Sequence, residues 1–299
     1  MTDYAALLRE LAIPRLVGTR NHAQVRERLK RELTARGFAV EEHAFAGRPS
    51  QMLFGTPRIV QGVNLIATRP SGRPAVRPSV WLVAHYDSKG QPISMALRMA
   101  GAAALVLGVA ALGVAVAMGW PVIPPIALAV LGALVLAGNR VTDRSAGAVD
   151  NASAMVAIFM LLDLLRDRTD VGVIFPDAEE LGLLGARALV ADRSALVRGA
   201  AALNFDGLDD GGRPVVFMHR AGPLGSAVAR ELDATGARWL PVVVDGIVLA
   251  PAAGECVTIM KGDWQTARIV HTRHDTAARL TLAGARQVAE GVARAIQAA

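Results

Sequence analysis

Two histidines and five acids carry the chemistry available to this sequence. His85 and Asp87 close the run "SVWLVAHYD", Asp150 sits in "GAVDNAS", Glu179 and Glu180 end "VGVIFPDAEE", Asp206 ends "AALNFD", and His271 follows "RIV". Imidazole nitrogens and carboxylate oxygens are the donor set of Zn²⁺ and similar divalent ions. Glu179 and Glu180 place two negative charges side by side, which is costly unless a cation compensates them. Alone, such a pair is more often a solvated loop. Its weight comes from the other polar groups that recur at the ends of apolar runs. Asp87, two residues past His85 on the same side of an extended chain, is placed to accept the second imidazole N–H and orient the ring.

The run "HAQVRERLKRELTAR" puts Val25, Leu29 and Leu33 on one helical face, with Gly37 as the stop. The runs "FAVEEHAF", "VNLIATRP" and "SVWLVAHYD" read as strands. "NASAMVAIFMLLDLLRD" reads as a buried helix capped by Asn151 or Ser153, leading to the strand "VGVIFPDAEE". Strands and helices then alternate to the final helix "AGARQVAEGVARAIQ". Such alternation predicts an α/β fold with a mostly parallel sheet covered on both faces, whose functional groups gather at the carboxyl ends of the strands.

The motifs "HYDS", "GAVDNAS", "DAEELGLLGA", "NFDG" and "HTRHDT" stand in the order, and near the spacing, of the co-catalytic zinc aminopeptidases. The chain resembles that family, the M28 metallopeptidases, over nearly its whole length except residues 95–140. The stretch from Leu16 to Glu42 is similar to the family as well. The resemblance implies a three-layer sandwich and two zinc ions per chain. It implies His85 and Asp206 on one metal, Glu180 and His271 on the other, and Asp150 bridging them. Asp87 would support His85, Asn151 would shape the bridging loop, and Asp275 would order the "HTRHDT" loop. Glu179 would be the general base toward a water shared by the two ions, and the activity would be removal of N-terminal residues from peptides with a free amine. Ala154 departs from the family's usual Gly, and the residues after Asp206 depart from its commonest form. His22, His43, His219 and His274 are expected to be ordinary polar or packing residues, and "DGLDDGG" a turn.

Residues 99–139 carry no charge. Segments 99–119 and 120–138 are each long enough to cross a hydrocarbon core of about 30 Å, with Trp120 and Pro121 at the break and Pro124 and Pro125 delaying the second helix. Residues 95–138 therefore read as a transmembrane helical hairpin inserted into a catalytic domain made of 1–94 and 139–299; a soluble buried pair or a dimerisation arm is the alternative. A hairpin returns the chain to the side it left. Lys89, Arg98, Arg140 and Arg144 flank it, so the catalytic part is expected in the cytoplasm, with its mouth near the membrane and a preference for apolar N-terminal residues. The opening "MTDYAALLRELAIPRLVG" has no signal-peptide pattern.

The net charge of +6 arises almost wholly from scattered arginines, with lysine only at 30, 89 and 261, and aromatics are 4% of the chain. That excludes a basic stripe suited to nucleic acid. The single Cys256 excludes an intrachain disulfide and reads as a packed thiol. Beside the aminopeptidase stand a single-zinc glutaminyl-cyclase-like acyltransferase, a carboxypeptidase or dipeptidase of the same fold, and a non-catalytic membrane scaffold. The oligomeric state is not written in the sequence.

Overall fold

In the computed structural model, residues 2–50, 54–70, 77–237 and 243–298 are described. In chain order the elements are α1 (Tyr4–Leu11), α2 (Arg20–Ala35), β1 (Ala39–Gly47), β2 (Val60–Thr68), β3 (Val80–Val83), α3 (Met95–Met118) and α4 (Ile123–Ala137). There follow α5 (Ser153–Leu164), β4 (Val171–Phe175), α6 (Leu184–Arg193), β5 (Ala201–Leu208), β6 (Arg213–Arg220) and α7 (Pro223–Glu231). The last elements are β7 (Thr235–Ala237), α8 (Asp245–Leu249), β8 (Glu255–Gly262), α9 (Trp264–Ile269) and α10 (Ala283–Ala298).

The strands form one sheet in the order β1-β2-β4-β3-β5-β8-β6-β7. Its centre, β4-β3-β5-β8, is parallel throughout, while β1, β2 and β6 join antiparallel at the flanks. The central strands are apolar on both faces because both faces are covered. Along β3, Leu82 belongs to the buried cluster on the face covered by α1, α2, α5, α7 and α10, whereas Trp81 and Val83 belong to the cluster on the other face with Leu189 of α6 and Leu249 of α8. This is the expected three-layer α/β sandwich. The helical stripe Val25, Leu29 and Leu33 is wholly buried, and Gly37 ends that helix region at φ +79°. Helix α5 runs inside the core, which explains why it lacks a polar face: every residue from Ser153 to Leu162 is buried.

Three local expectations were displaced by packing. The run before His271 is helix α9, opened by a capping box at Asp263. Neither Asn151 nor Ser153 caps α5, whose N-cap is Ala152 without a side-chain bond. Helix α7 stops at Glu231, and Thr235–Ala237 pairs with β6 and does not continue the helix.

Helices α3 and α4 lie against each other. A Cβ on Gly108 would sit 2.5 Å from the Ala129 nitrogen, and one on Gly132 would sit 2.5 Å from the Gly101 carbonyl oxygen, so glycine permits the close approach. Their other faces expose Val106, Leu107, Val109, Val116, Leu131 and Leu134. Helix α3 has 24 residues and a mean hydropathy of 2.3 in its most apolar window, long and apolar enough to cross a membrane. Helix α4 has 15 residues, about 22 Å at 1.5 Å per residue, short of a full crossing. The two roots are tied together: Gly90 and Thr142 exchange backbone hydrogen bonds of 2.7 and 2.8 Å, and the Gln91 N–H donates to the His271 carbonyl at 2.7 Å.

Candidate active site

The parallel strands all point their carboxyl ends at one edge. The chain leaves β3 to reach β4 through α5 on one face, and leaves β4 to reach β5 through α6 on the other. The loops therefore diverge there and leave a crevice. His85 and Asp87 extend beyond β3, Glu179 and Glu180 follow β4, and Asp206 lies in the last turn of pleat of β5. Asp150 enters from an irregular turn before α5, and His271 from the loop after α9, where its backbone adopts φ +65°.

The candidates converge. His85 Nε2 lies 3.0 Å from Asp150 Oδ1, while His271 Nε2 lies 2.8 Å from Asp150 Oδ2 and 3.0 Å from Glu180 Oε1. Two ligand-like groups result, His85–Asp150–Asp206 and Asp150–Glu180–His271, the donor atoms of each within 4.8 Å of one another and all buried. Asp150 belongs to both groups and Glu179 to neither.

The surrounding bonds hold this arrangement. Asp87 accepts from the backbone N–H groups of Glu179 and Glu180 at 3.1 and 3.2 Å, and its contact with His85 Nδ1 is 3.4 Å. Asp87 thus fixes the acidic pair at least as firmly as it faces the imidazole. Asp275 accepts from the Val149 and Asp150 N–H groups, ordering the loop that presents Asp150. Asn151 donates to the Phe205 carbonyl at 2.9 Å and accepts from the Gly207 N–H at 3.1 Å, which ties that loop to β5 on both sides of Asp206. The Lys89 ammonium donates to the Glu180 carbonyl at 2.7 Å and lies 3.2 Å from its carboxylate.

The protonation of the cluster follows from burial and neighbours. Burial, with Glu180 and Asp206 adding, pushes the Glu179 carboxyl well above the usual carboxylate range although His85 opposes it. Burial also raises Asp206 to about 7. Burial works against ionised Glu180, but His271 and Lys89 outweigh it and hold that acid at about 2. The same contest leaves Asp150 well below its ordinary value, because His271 and His85 face it. Both imidazoles are raised against the effect of burial by the acids around them.

The donor set fits zinc. Asp150 Oδ1 and Glu180 Oε1 are buried and, though each lies 3.0 Å from an imidazole nitrogen, neither makes a well-aligned hydrogen bond among the described residues; nor does Nδ1 of His85. Buried oxygens left in that state inside a cluster of like charges call for a cation.

Several residues of the site were not singled out by sequence. Asp245, at the start of α8, is buried with both carboxylate oxygens unpartnered, and burial raises it to about 8, with Asp206 and Asp87 adding to the shift. Its one signal is a lone acid within the apolar run "PVVVDGIVLA". Arg15 is fully buried and donates to the carbonyls of Tyr86 and Gly147, clamping two ligand loops. His22 and His43, expected outside any cluster, lie behind the acidic pair instead. His22 meets Asp177 at 2.8 Å and stacks on Tyr86, and His43 meets Asn64, whose oxygen accepts from the Asp177 N–H. His219 keeps its ordinary reading, bonded to Thr258 at 2.8 Å. Cys256 is a packed thiol, pushed by burial up to about 12.

Asp150, Glu179, Glu180, Asp206 and His271 line a cavity of about 900 Å³. Apolar residues of β6, β8 and α9 form one wall, and Met95, Arg98, Met99 and Ala102 of α3, with Leu136 and Asn139 at the end of α4, form the other.

The sequence pattern of Peptidase family M28 matches residues 64–296. No curated protein sequence matches the chain. Among solved structures, glutaminyl cyclase from Porphyromonas gingivalis superposes with a TM-score of 0.67 at 18% identity, covering 99% of this chain and 96% of that one. The zinc aminopeptidase BSAP from Bacillus subtilis superposes with a TM-score of 0.66 at 12% identity, covering 99% and 94%. The aminopeptidase from Aneurinibacillus sp. strain AM-1 gives 0.65 at 11% identity, covering 98% and 92%. At these identities the likeness is one of fold.

Proposed function

The chain belongs to Peptidase family M28, and we propose that it is a membrane-anchored zinc aminopeptidase that removes N-terminal residues from peptides with a free amine. The observation that carries this reading is the pair of buried triads sharing Asp150, with Glu179 beside them and in neither. In this reading His85, Asp150 and Asp206 hold one ion, and Asp150, Glu180 and His271 hold the second. Zinc in such a site supplies Lewis acidity, polarising a carbonyl and easing deprotonation of water.

Glu179 is the proton carrier. Kept off the metals and with its carboxyl raised by burial, it takes a proton from the attacking water and delivers it to the leaving amine. Asp87 holds its backbone in place, and Lys89 keeps Glu180 ionised as a ligand. Helices α3 and α4, within residues 95–138, anchor the catalytic part, 1–94 and 139–299, in the bilayer; their outward apolar side chains support this.

A glutaminyl cyclase is the second reading, favoured by the fold likeness, and it would need one ion. The test measures zinc per chain in the detergent-purified protein, together with turnover of free-amine peptides and of a peptide beginning with Gln. Two ions and release of the first residue are expected. One ion with cyclisation of the N-terminal Gln would replace the reading. Glu179→Gln should lower kcat by ~10²- to 10⁴-fold with zinc content unchanged; equal activity would remove Glu179 from its role.

A further inference from the structure

Arg98 stands near the amino-terminal end of α3, where a cation opposes the helix dipole, so its place is not explained by the helix. It lines the catalytic cavity, and its Nη2 lies 2.8 Å from Nδ1 of His271. Its Nε is buried and has no acceptor among the described residues. Two further polar side chains at the roots of the same hairpin line this wall. Gln91, 4% exposed, has neither its amide nitrogen nor its amide oxygen partnered, and Asn139, 4% exposed, has an unpartnered amide oxygen. Buried polar groups without partners are costly, and three in one cavity wall match a polar ligand that is absent here.

The charges say which ligand. One side of His271 faces Asp150 and Glu180, and the other faces a guanidinium. In the aminopeptidase reading the free amine is held at the floor, and the guanidinium one imidazole away offers a planar five-donor fork suited to a carboxylate. A short peptide with both ends free carries those two charges a few bonds apart. Its side chains would meet the apolar walls.

We propose that Arg98, with Gln91 and Asn139, forms a carboxylate-recognising subsite built by the hairpin, and that the favoured substrates are dipeptides with a free carboxylate. The proposal rests on the aminopeptidase reading and deepens it. A hairpin serving only as an anchor would place no donor there.

The test compares leucyl-leucine, its carboxyl-terminal amide, and leucyl-aspartic acid α-amide, which keeps a carboxylate only in its side chain. Equilibrium binding to the zinc-loaded Glu179→Gln protein is measured calorimetrically, and kcat and KM are measured on the active protein. The free acid should bind at least ~10-fold more tightly than the amide, about 1.4 kcal/mol, with the difference appearing in KM. Arg98→Met should bring the two ligands within ~2-fold of each other, and Arg98→Lys should retain part of the preference. These folds follow from loss of one charge-assisted pair. Zinc content in both variants checks that the centre is intact. Preference for the aspartyl α-amide over the free acid would assign the same subsite to an acidic side chain. Equal binding of acid and amide by the parent protein, or a preference that survives Arg98→Met, would overturn the subsite while leaving the aminopeptidase reading in place. Selective binding without cleavage of any of the three would overturn the reaction and leave the subsite.

Discussion

At the residue scale, the site is a set of acids buried together, and this has a consequence for stability. Asp245 in an unfolded chain ionises at the ordinary carboxylate value, whereas in the fold burial raises it to about 8. Between those two values the folded state holds more protons than the unfolded one. Stability is therefore full below the lower value and is lost as pH rises toward about 8. Asp206 and Asp275, each raised to about 7 by burial, act in the same direction. The raised imidazoles of His85 and His271 also lose their contribution as pH climbs past the ordinary histidine value. Asp150 and Glu180, held low, matter only in acid. The zinc-free protein should accordingly melt at a lower temperature at pH 8 than at pH 5, and Asp245→Asn should flatten that slope. A melting temperature that rises over the same range would refute this. The five proposed ligands and Glu179 were legible in the sequence because their side-chain types and local motifs name the chemistry. Asp245, Arg15 and His22 were not, because each matters only through what the fold brings against it.

At the element scale, periodicity located most helices and strands because burial follows period: α2 buries one stripe and α5 buries every face. It failed where a tertiary bond outcompeted a local one. Asn151 reads as a helix cap, yet its amide is taken by the backbone on both sides of Asp206. Helix α9 has six residues, too short to show a period, and its capping box decides it. The hairpin obeys a different rule, close approach at glycine. Gly132→Leu must push α3 and α4 apart, at a cost of ~1–3 kcal/mol typical of overpacking. Gly113→Leu, on α3, meets nothing within 4 Å and should leave stability unchanged. Thermal denaturation in detergent compares them, and equal melting temperatures would show that the two helices do not depend on this contact.

At the scale of the whole molecule, the proposed membrane anchoring raises the question of which side of a bilayer the centre would face. Both roots of the hairpin are fixed to the catalytic part by the Gly90–Thr142 bridge, so the two segments of that part share a side. Of the four flanking cations, Lys89 and Arg98 turn into the cavity, where they meet Glu180 and His271. Their positions are accounted for by the site, and they carry less weight for orientation. Arg140 and Arg144 are exposed, and the turn around Trp120 has no charge. If the hairpin spans a bilayer as proposed, this cation bias predicts a cytoplasmic catalytic part, because retaining Lys and Arg on the uncrossed side is what orients short hairpins. In sealed right-side-out vesicles, added protease should leave residues 150–299 intact until detergent is supplied, while in inverted vesicles it should digest them at once. Digestion from the outside of right-side-out vesicles would place the centre across the membrane, facing peptides that arrive from the exterior. Arg140→Glu with Arg144→Glu then separates the causes: the protein should insert less uniformly if these two arginines set the orientation, and should be unaffected if the folded catalytic part alone holds the hairpin on its side.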